Sequence, residues 1–227
     1  MGHAVVTGSR GFLGVHLVEA LAARGDTVTA LDVIDGKSSH PNVTNVAVDL
    51  RDVAAVRKAL AGADTVFHAA SRVQTQRHGA DEVIAVNVGG TRNVLAACRQ
   101  EGVSRLVYVS SASVVYDGKD VENGDETLPY PTSFHAPYAE TKATAEREVL
   151  KANGEGGVFT CSVRPHVVFG PGDGRFLPAV LERAKSGKLK AYVGDPTKKS
   201  DFTFIDNLVH GLLLADAHLG EGKLSIY

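Results

Sequence analysis

The chain has 227 residues, 44% of them hydrophobic and 22% charged, which suits one main globular domain with a sizeable core. Its 24 basic and 26 acidic side chains are scattered and leave a formal net charge of −2, so no long basic face is offered to phosphate backbones and nucleic acid is not expected as a partner. Cys98 and Cys161 stand far apart and none of the nine histidines falls in HxxxH or HExxH spacing. Neither a disulfide framework nor a metal site is therefore expected, the apolar runs are too short to span a bilayer, and a reducing cytoplasm fits.

Short β-branched runs alternate with longer helix-like segments, the pattern of βαβ units around a parallel sheet, so the fold class expected is α/β. The first strand is predicted over 4–7. Directly after it comes Gly8-Ser9-Arg10-Gly11-Phe12-Leu13-Gly14, a GxxGxxG turn opening a helix over 12–24 that carries Leu13, Leu17 and Leu21 and stops at Gly25. In such a turn the first glycine permits the tight bend, the second lets the backbone approach a pyrophosphate at the helix N-terminus, and the third lets helix and strand pack closely. The second strand, 27–31, leads to Asp32, 18 residues beyond Gly14, near the offset at which a carboxylate accepts hydrogen bonds from the adenosine ribose. A carboxylate there repels a 2′-phosphate, which favours NAD; Arg10, a guanidinium that could pair with that phosphate, is the argument for NADP. Further strands are predicted at 43–48, 65–68, 105–110 and 159–164, with helices at 52–61, 81–100 and 137–152. Beyond about residue 165 the texture changes to Gly/Pro-rich loops, a Lys-rich stretch and two short strand-like pieces.

Tyr138 and Lys142 stand at i and i+4, one turn apart on one helical face. A phenol titrates near ~10 when free, and a neighbouring cation favours the phenolate, so the pair can exchange a proton with an alcohol or carbonyl. The fifth strand ends in Ser110-Ser111-Ala112-Ser113, which delivers hydroxyls to the carboxyl edge where ligands bind in open α/β sheets.

These motifs, with Asp49-Leu50, Phe67-His68-Ala69-Ala70, Asn87-Val88-Gly89-Gly90-Thr91, Arg164-Pro165 and Phe169-Gly170-Pro171-Gly172-Asp173 in the same order, resemble the extended short-chain dehydrogenase/reductase family over essentially the whole chain. The resemblance implies a Rossmann doubly wound parallel sheet with a small, truncated C-terminal lobe: residues 1–165 as the NAD(P)-binding domain and 166–227 as a partial substrate region interleaved with the last Rossmann elements. It implies that Asp49 and Leu50 contact adenine, that Ala69, Ala70 and Ser71 line the cofactor cleft beside Gly8, Arg10, Gly11, Phe12, Leu13, Gly14 and Asp32, that Lys142 also holds the nicotinamide ribose, and that Pro165, His166 and Val168 flank the nicotinamide. Ser111, Tyr138 and Lys142 are the implied catalytic trio, with Ser113 the competitor for Ser111. Within the family the chain is most similar to the 3β-hydroxysteroid dehydrogenases and decarboxylating sterol-4-carboxylate 3-dehydrogenases, whose members continue well beyond the equivalent of Tyr227. The expected substrate is a hydrophobic secondary alcohol, held by segments 114–134 and 166–201 through side chains such as Phe134, Phe169, Phe176, Val180, Leu181 and Tyr192. The alternatives are a nucleotide-sugar epimerase or dehydratase using the same trio, or a non-catalytic dinucleotide-binding protein. Segments 81–100 and 137–152 could also pair across a two-fold axis in a homodimer.

Overall fold

Short strands that are apolar on both faces must be covered on both sides, and the chain does this by winding helices above and below one sheet. A computed structural model describes residues 1–73, 80–188, 195 and 197–220. Its main sheet runs β3 (Val43–Ala47), β2 (Thr27–Asp32), β1 (His3–Thr7), β4 (Thr65–His68), β5 (Arg105–Val109), β6 (Phe159–Val163), all pairs parallel. This is the doubly wound order, and its direction reverses between β1 and β4. Successive residues of a strand enter opposite layers. Val5, Val66, Leu106 and Tyr108 pack with Val56, Leu60, Val94, Cys98 and Val149 of helices α2 (Val53–Leu60), α4 (Gly90–Glu101) and α5 (Pro137–Lys151). Val6, Phe67, Val107 and Cys161 pack with Leu17, Leu21, Leu208 and Leu212 of α1 (Phe12–Arg24) and α7 (Ile205–His218).

The helix expected over 81–100 is not uniform. It comprises α3 (Ala80–Ile84), a wider π turn (Ala85–Gly89) and α4, so that Asn87 sits inside the turn, buried. Beyond β6 the chain forms a separate parallel pair, β7 (Val167–Phe169) with β8 (Phe202–Phe204), and helices α6 (Phe176–Lys185) and α7, neither helix having been expected. Asp216 of α7 reaches the amino ends of the strands, accepting from Thr65 Oγ1 at 2.8 Å and Arg105 Nε at 2.8 Å. Arg24 lies 3.6 Å from the same carboxylate and 2.6 Å from Asp26, which in turn accepts the Gly2 amide at 3.0 Å. The last described helix thus clasps the edge of the sheet opposite the glycine turn.

Candidate functional site

The glycine turn lies where the strand order reverses; contact requires glycine at positions 8 and 14 and leaves little room at 11. Gly8 has φ +72°, and a Cβ there would stand 2.7 Å from Ala70 Cα; one on Gly14 would stand 2.0 Å from Gly8 O, and one on Gly11 3.2 Å from the same oxygen. The N-cap of α1 is Gly11, and no side chain caps that end, whereas α2 is capped by Asp52, which accepts the Ala55 amide at 3.0 Å. The first turn of α1 therefore has amides to offer an anionic group. Ser9 Oγ and Ser71 Oγ, on either side, are buried without a hydrogen-bond partner. A close-packed glycine cradle, an uncapped helix start and two orphan hydroxyls fit a dinucleotide.

Asp32 ends β2 with its carboxylate facing the turn, accepting the Arg10 amide at 3.0 Å and the Ile34 amide at 3.2 Å. It caps its own loop while keeping lone pairs for a ribose. The Arg10 guanidinium lies against Gly36, 2.7 Å from where a Cβ would stand. Phe12 and Leu13 are half-buried against the α1–α7 layer. Asp49 is paired with Arg51 at 2.5 Å, which holds its carboxyl below the usual range. Leu50 is a core residue packed on Gly90, and its carbonyl accepts from Asn93 Nδ2 at 2.8 Å; its buried side chain leaves the backbone as its means of touching a ligand.

Ser111 Oγ receives the Ser113 hydroxyl at 2.9 Å and the Ser113 amide at 3.2 Å. Residues 112–115 form a 3-10 turn, so Ser113 stands behind Ser111 rather than beside it along an extended chain. Because Ser113 spends its proton on Ser111, the Ser111 proton is free to donate onward, and it faces the Tyr138 phenol. Burial raises the pKa of that phenol most strongly; Ser71, Ser111 and then Arg175 oppose it. Lys142 stands one turn on from Tyr138 in α5. It is fully buried, donates to the Val109 carbonyl and lies 4.0 Å over the Tyr108 ring. Burial lowers its pKa to about 7, against the opposing pull of Glu146.

Pro165 O accepts the Ala112 amide at 3.0 Å, pinning the segment after β6 to the serine turn. His166 is exposed and Val168 half-buried. Of the side chains expected to hold substrate, Phe176 lies 5.4 Å from the ring of Phe202 and Phe169 meets Phe204 edge-on at 5.5 Å, two partners not expected there, but Val180 and Leu181 are 41% and 54% exposed and α6 buries no residue. Tyr192 lies outside the described residues.

Of two further buried polar groups, the sequence reading missed Glu146 and gave His68 no role beyond its place in a motif at a strand end. Glu146 is fully buried one turn beyond Lys142, paired with Arg164 Nη2 at 2.7 Å and receiving Tyr130 Oη at 2.6 Å and Ser162 Oγ at 2.7 Å. His68 is held between Thr7 Oγ1 at 2.7 Å and Thr91 Oγ1 at 2.9 Å. The continued four-residue spacing Tyr138, Lys142, Glu146, and a histidine closing an apolar strand, were the available signals. Among the described residues no group of three or more His, Cys, Asp or Glu could hold a metal ion, and no helix is long and apolar enough to cross a membrane.

A doubly wound sheet with this glycine turn and a serine–tyrosine–lysine group at its carboxyl edge defines the extended short-chain dehydrogenase/reductase class. Within that class the chain belongs to the 3-beta hydroxysteroid dehydrogenase/isomerase family, which it matches over residues 5–225. It is 41% identical to a 3-beta-hydroxysteroid dehydrogenase of Mycolicibacterium neoaurum over 98% of this chain and 63% of that protein, and 42% identical to a decarboxylating sterol-4-alpha-carboxylate 3-dehydrogenase of Bos taurus over 95% and 60%. It thus spans about three-fifths of the length of these curated relatives. Among solved structures it superposes on MoeE5 in complex with UDP-glucuronic acid and NAD with a TM-score of 0.83 and 32% identity, covering 99% of this chain and 75% of that one. A dTDP-glucose 4,6-dehydratase from Streptomyces venezuelae with NAD bound gives a TM-score of 0.84 at 26% identity, covering 99% and 74%.

Proposed function

We propose that this chain is an NAD-dependent oxidoreductase acting on an apolar secondary alcohol or its ketone, of the 3β-hydroxysteroid or sterol-carboxylate type. The observation that carries this reading is the hydroxyl row Ser113, Ser111, Tyr138 beside the uncapped glycine turn. NAD, when bound, supplies the hydride acceptor. The α1 amides receive its pyrophosphate and Asp32 its adenosine ribose. Ser111 donates to the substrate oxygen, Tyr138 takes the hydroxyl proton as the alcohol becomes a ketone, and Lys142, turned upward from the Val109 carbonyl, favours the phenolate and steadies the nicotinamide ribose. Where the carbon next to the alcohol carries a carboxylate, the ketone formed is a β-keto acid, which loses carbon dioxide through an enolate without further protein groups.

Pro165, His166 and Val168 flank the nicotinamide in this reading, and residues 166–227 contribute a partial substrate region to the 1–165 dinucleotide domain. The aromatic group Phe169, Phe176, Phe202 and Phe204 supports an apolar substrate. The buried free thiols of Cys98 and Cys161 support a reducing cytoplasm. Helices α4 and α5 border a shared surface groove of about 290 Å³ carrying Arg92, Arg99, Glu148 and Glu155, which we assign to a homodimer face. A second reading, nucleotide-sugar epimerisation or dehydration, is favoured by the ligands of the solved neighbours. The test compares hydrophobic 3-hydroxy compounds with nucleotide sugars at saturating NAD, followed by absorbance of the reduced nicotinamide and by product analysis. Reduction of NAD by an apolar alcohol is expected; sugar turnover without net reduction, and none of any apolar alcohol, transfers the assignment to the second reading.

A further inference from the structure

Counting donors fixes the direction of every hydrogen bond around His68, and hence its tautomer. Thr91 has one hydroxyl proton and gives it to the Asn87 carbonyl at 2.6 Å, so towards His68 Nε2, 2.9 Å away, it only accepts. Nε2 therefore carries the ring proton and Nδ1 is bare. Thr7 donates to Nδ1 at 2.7 Å and, its proton spent, accepts the Ala70 amide at 3.2 Å. One end of this chain thus sets the spacing between Thr7, the residue before the glycine turn, and Ala70, the floor on which Gly8 is packed. The other end continues through Asn87, whose Nδ2 donates to Thr141 Oγ1 at 3.0 Å, and Thr141 donates to the Tyr138 carbonyl at 2.9 Å. Thr7, His68, Thr91, Asn87 and Thr141 are all buried, at 3% exposure or less. Lys142 from α5 and Tyr108 from β5 are the titratable groups that face the imidazole. Burial first, then Lys142, pushes the ring pKa down to about 3, so His68 stays neutral and serves as a strut, not as a proton carrier.

We propose that His68 is a positioning residue through which the dinucleotide cleft and the helix carrying Tyr138 are coupled, so that seating a dinucleotide and placing the phenol are one event. This rests on the reading that the cleft takes NAD. The test measures NAD affinity by titration calorimetry, with folding checked by melting temperature, for Thr7→Val, Thr141→Val and the double variant. Each removes both hydrogen bonds of one hydroxyl, at opposite ends of the chain, and should weaken NAD about threefold to tenfold; the double variant should bind at least threefold better than the product of the two losses requires, because the chain is already broken. Thr141→Ser, which keeps the hydroxyl, should bind as the wild type does. Losses that simply multiply, or wild-type affinity in Thr141→Val, overturn the coupling. Should a valine variant fail to fold, nitrogen NMR of the wild-type histidines decides: His68 is expected as the neutral Nε2–H form from pH 5 to 8 with its signals shifting on addition of NAD, and a charged or Nδ1–H ring, or signals indifferent to NAD, overturns the proposal. Wild-type protein that does not bind NAD sinks the cofactor reading itself, whereas binding with independent losses sinks only the coupling.

Discussion

Tyr138 and Lys142 divide their work by where their polar ends lie. The phenol faces Ser111, while the ammonium sits below it on the Val109 carbonyl. Tyr138→Phe is therefore expected to keep the fold and NAD affinity but lose on the order of 10²–10⁴ in turnover, and Lys142→Ala to weaken both; steady-state rates and calorimetry on the two variants check this, and wild-type turnover in Tyr138→Phe sinks the mechanism. Asp32 faces the turn with an anionic carboxylate, so NAD should bind at least about tenfold more tightly than NADP, a difference of ~1.4 kcal/mol. Equal affinities by calorimetry would mean that Arg10 outweighs it. His68 supplies the pH dependence. Its folded pKa, about 3, lies below the ordinary 6.5, so between these values the unfolded chain binds a proton that the folded one refuses. Its contribution is intact above pH 6.5 and falls as pH drops towards 3, on the order of 5 kcal/mol in all. Urea midpoints from pH 7 to 4 should fall less steeply in His68→Gln than in the wild type.

At the scale of elements, α5 is two helices in one: an outer face of solvated charge and an inner stripe on which Tyr138, Lys142 and Glu146 follow one another. Glu146 and Arg164 tie α5 to the end of β6 and, through Tyr130, to the segment that leads into α5. Removing one partner strands a buried charge, so Glu146→Ala should cost ~3–5 kcal/mol in urea unfolding and Glu146→Gln less; a loss below ~1 kcal/mol would show that the pair is dispensable. This pair was hidden in the sequence because a glutamate at helical spacing reads as a solvated face until the strand that supplies its arginine is placed beside it. Elements whose signals are local were legible: α1 runs over the predicted 12–24 and ends on Gly25 at φ +91°, and the six main strands lie within one residue of expectation at each end. The π turn was not legible, since the Asn87 side chain is drawn inward by Arg72 and Thr141, 15 and 54 residues away in sequence. Helix α7 was overlooked although Leu208, Val209, Leu212 and Ala215 repeat at helical spacing, and α6 gave a weak signal because it buries nothing.

For the whole molecule, the sheet order brings the ends of β1, β4 and β5 to one edge, which is why motifs scattered from Thr7 to Thr141 converge there. The opposite edge is closed by α7, whose Ile205, Leu208 and Leu212 cover the same layer as Leu17, Phe67 and Val107. A chain ending before Ile205 is expected to leave that layer bare, bind a hydrophobic dye and lose its cooperative melt; a cooperative melt with wild-type near-ultraviolet dichroism would contradict this. The same clasp sets a schedule for synthesis. Asp216 meets Thr65 across 151 residues of sequence, and at ~5–20 residues per second a ribosome takes roughly 8–30 s to cover that distance. Throughout that interval α1 alone covers the layer that α7 completes, so Phe67 and Val107 stay partly bare on the nascent chain until α7 emerges.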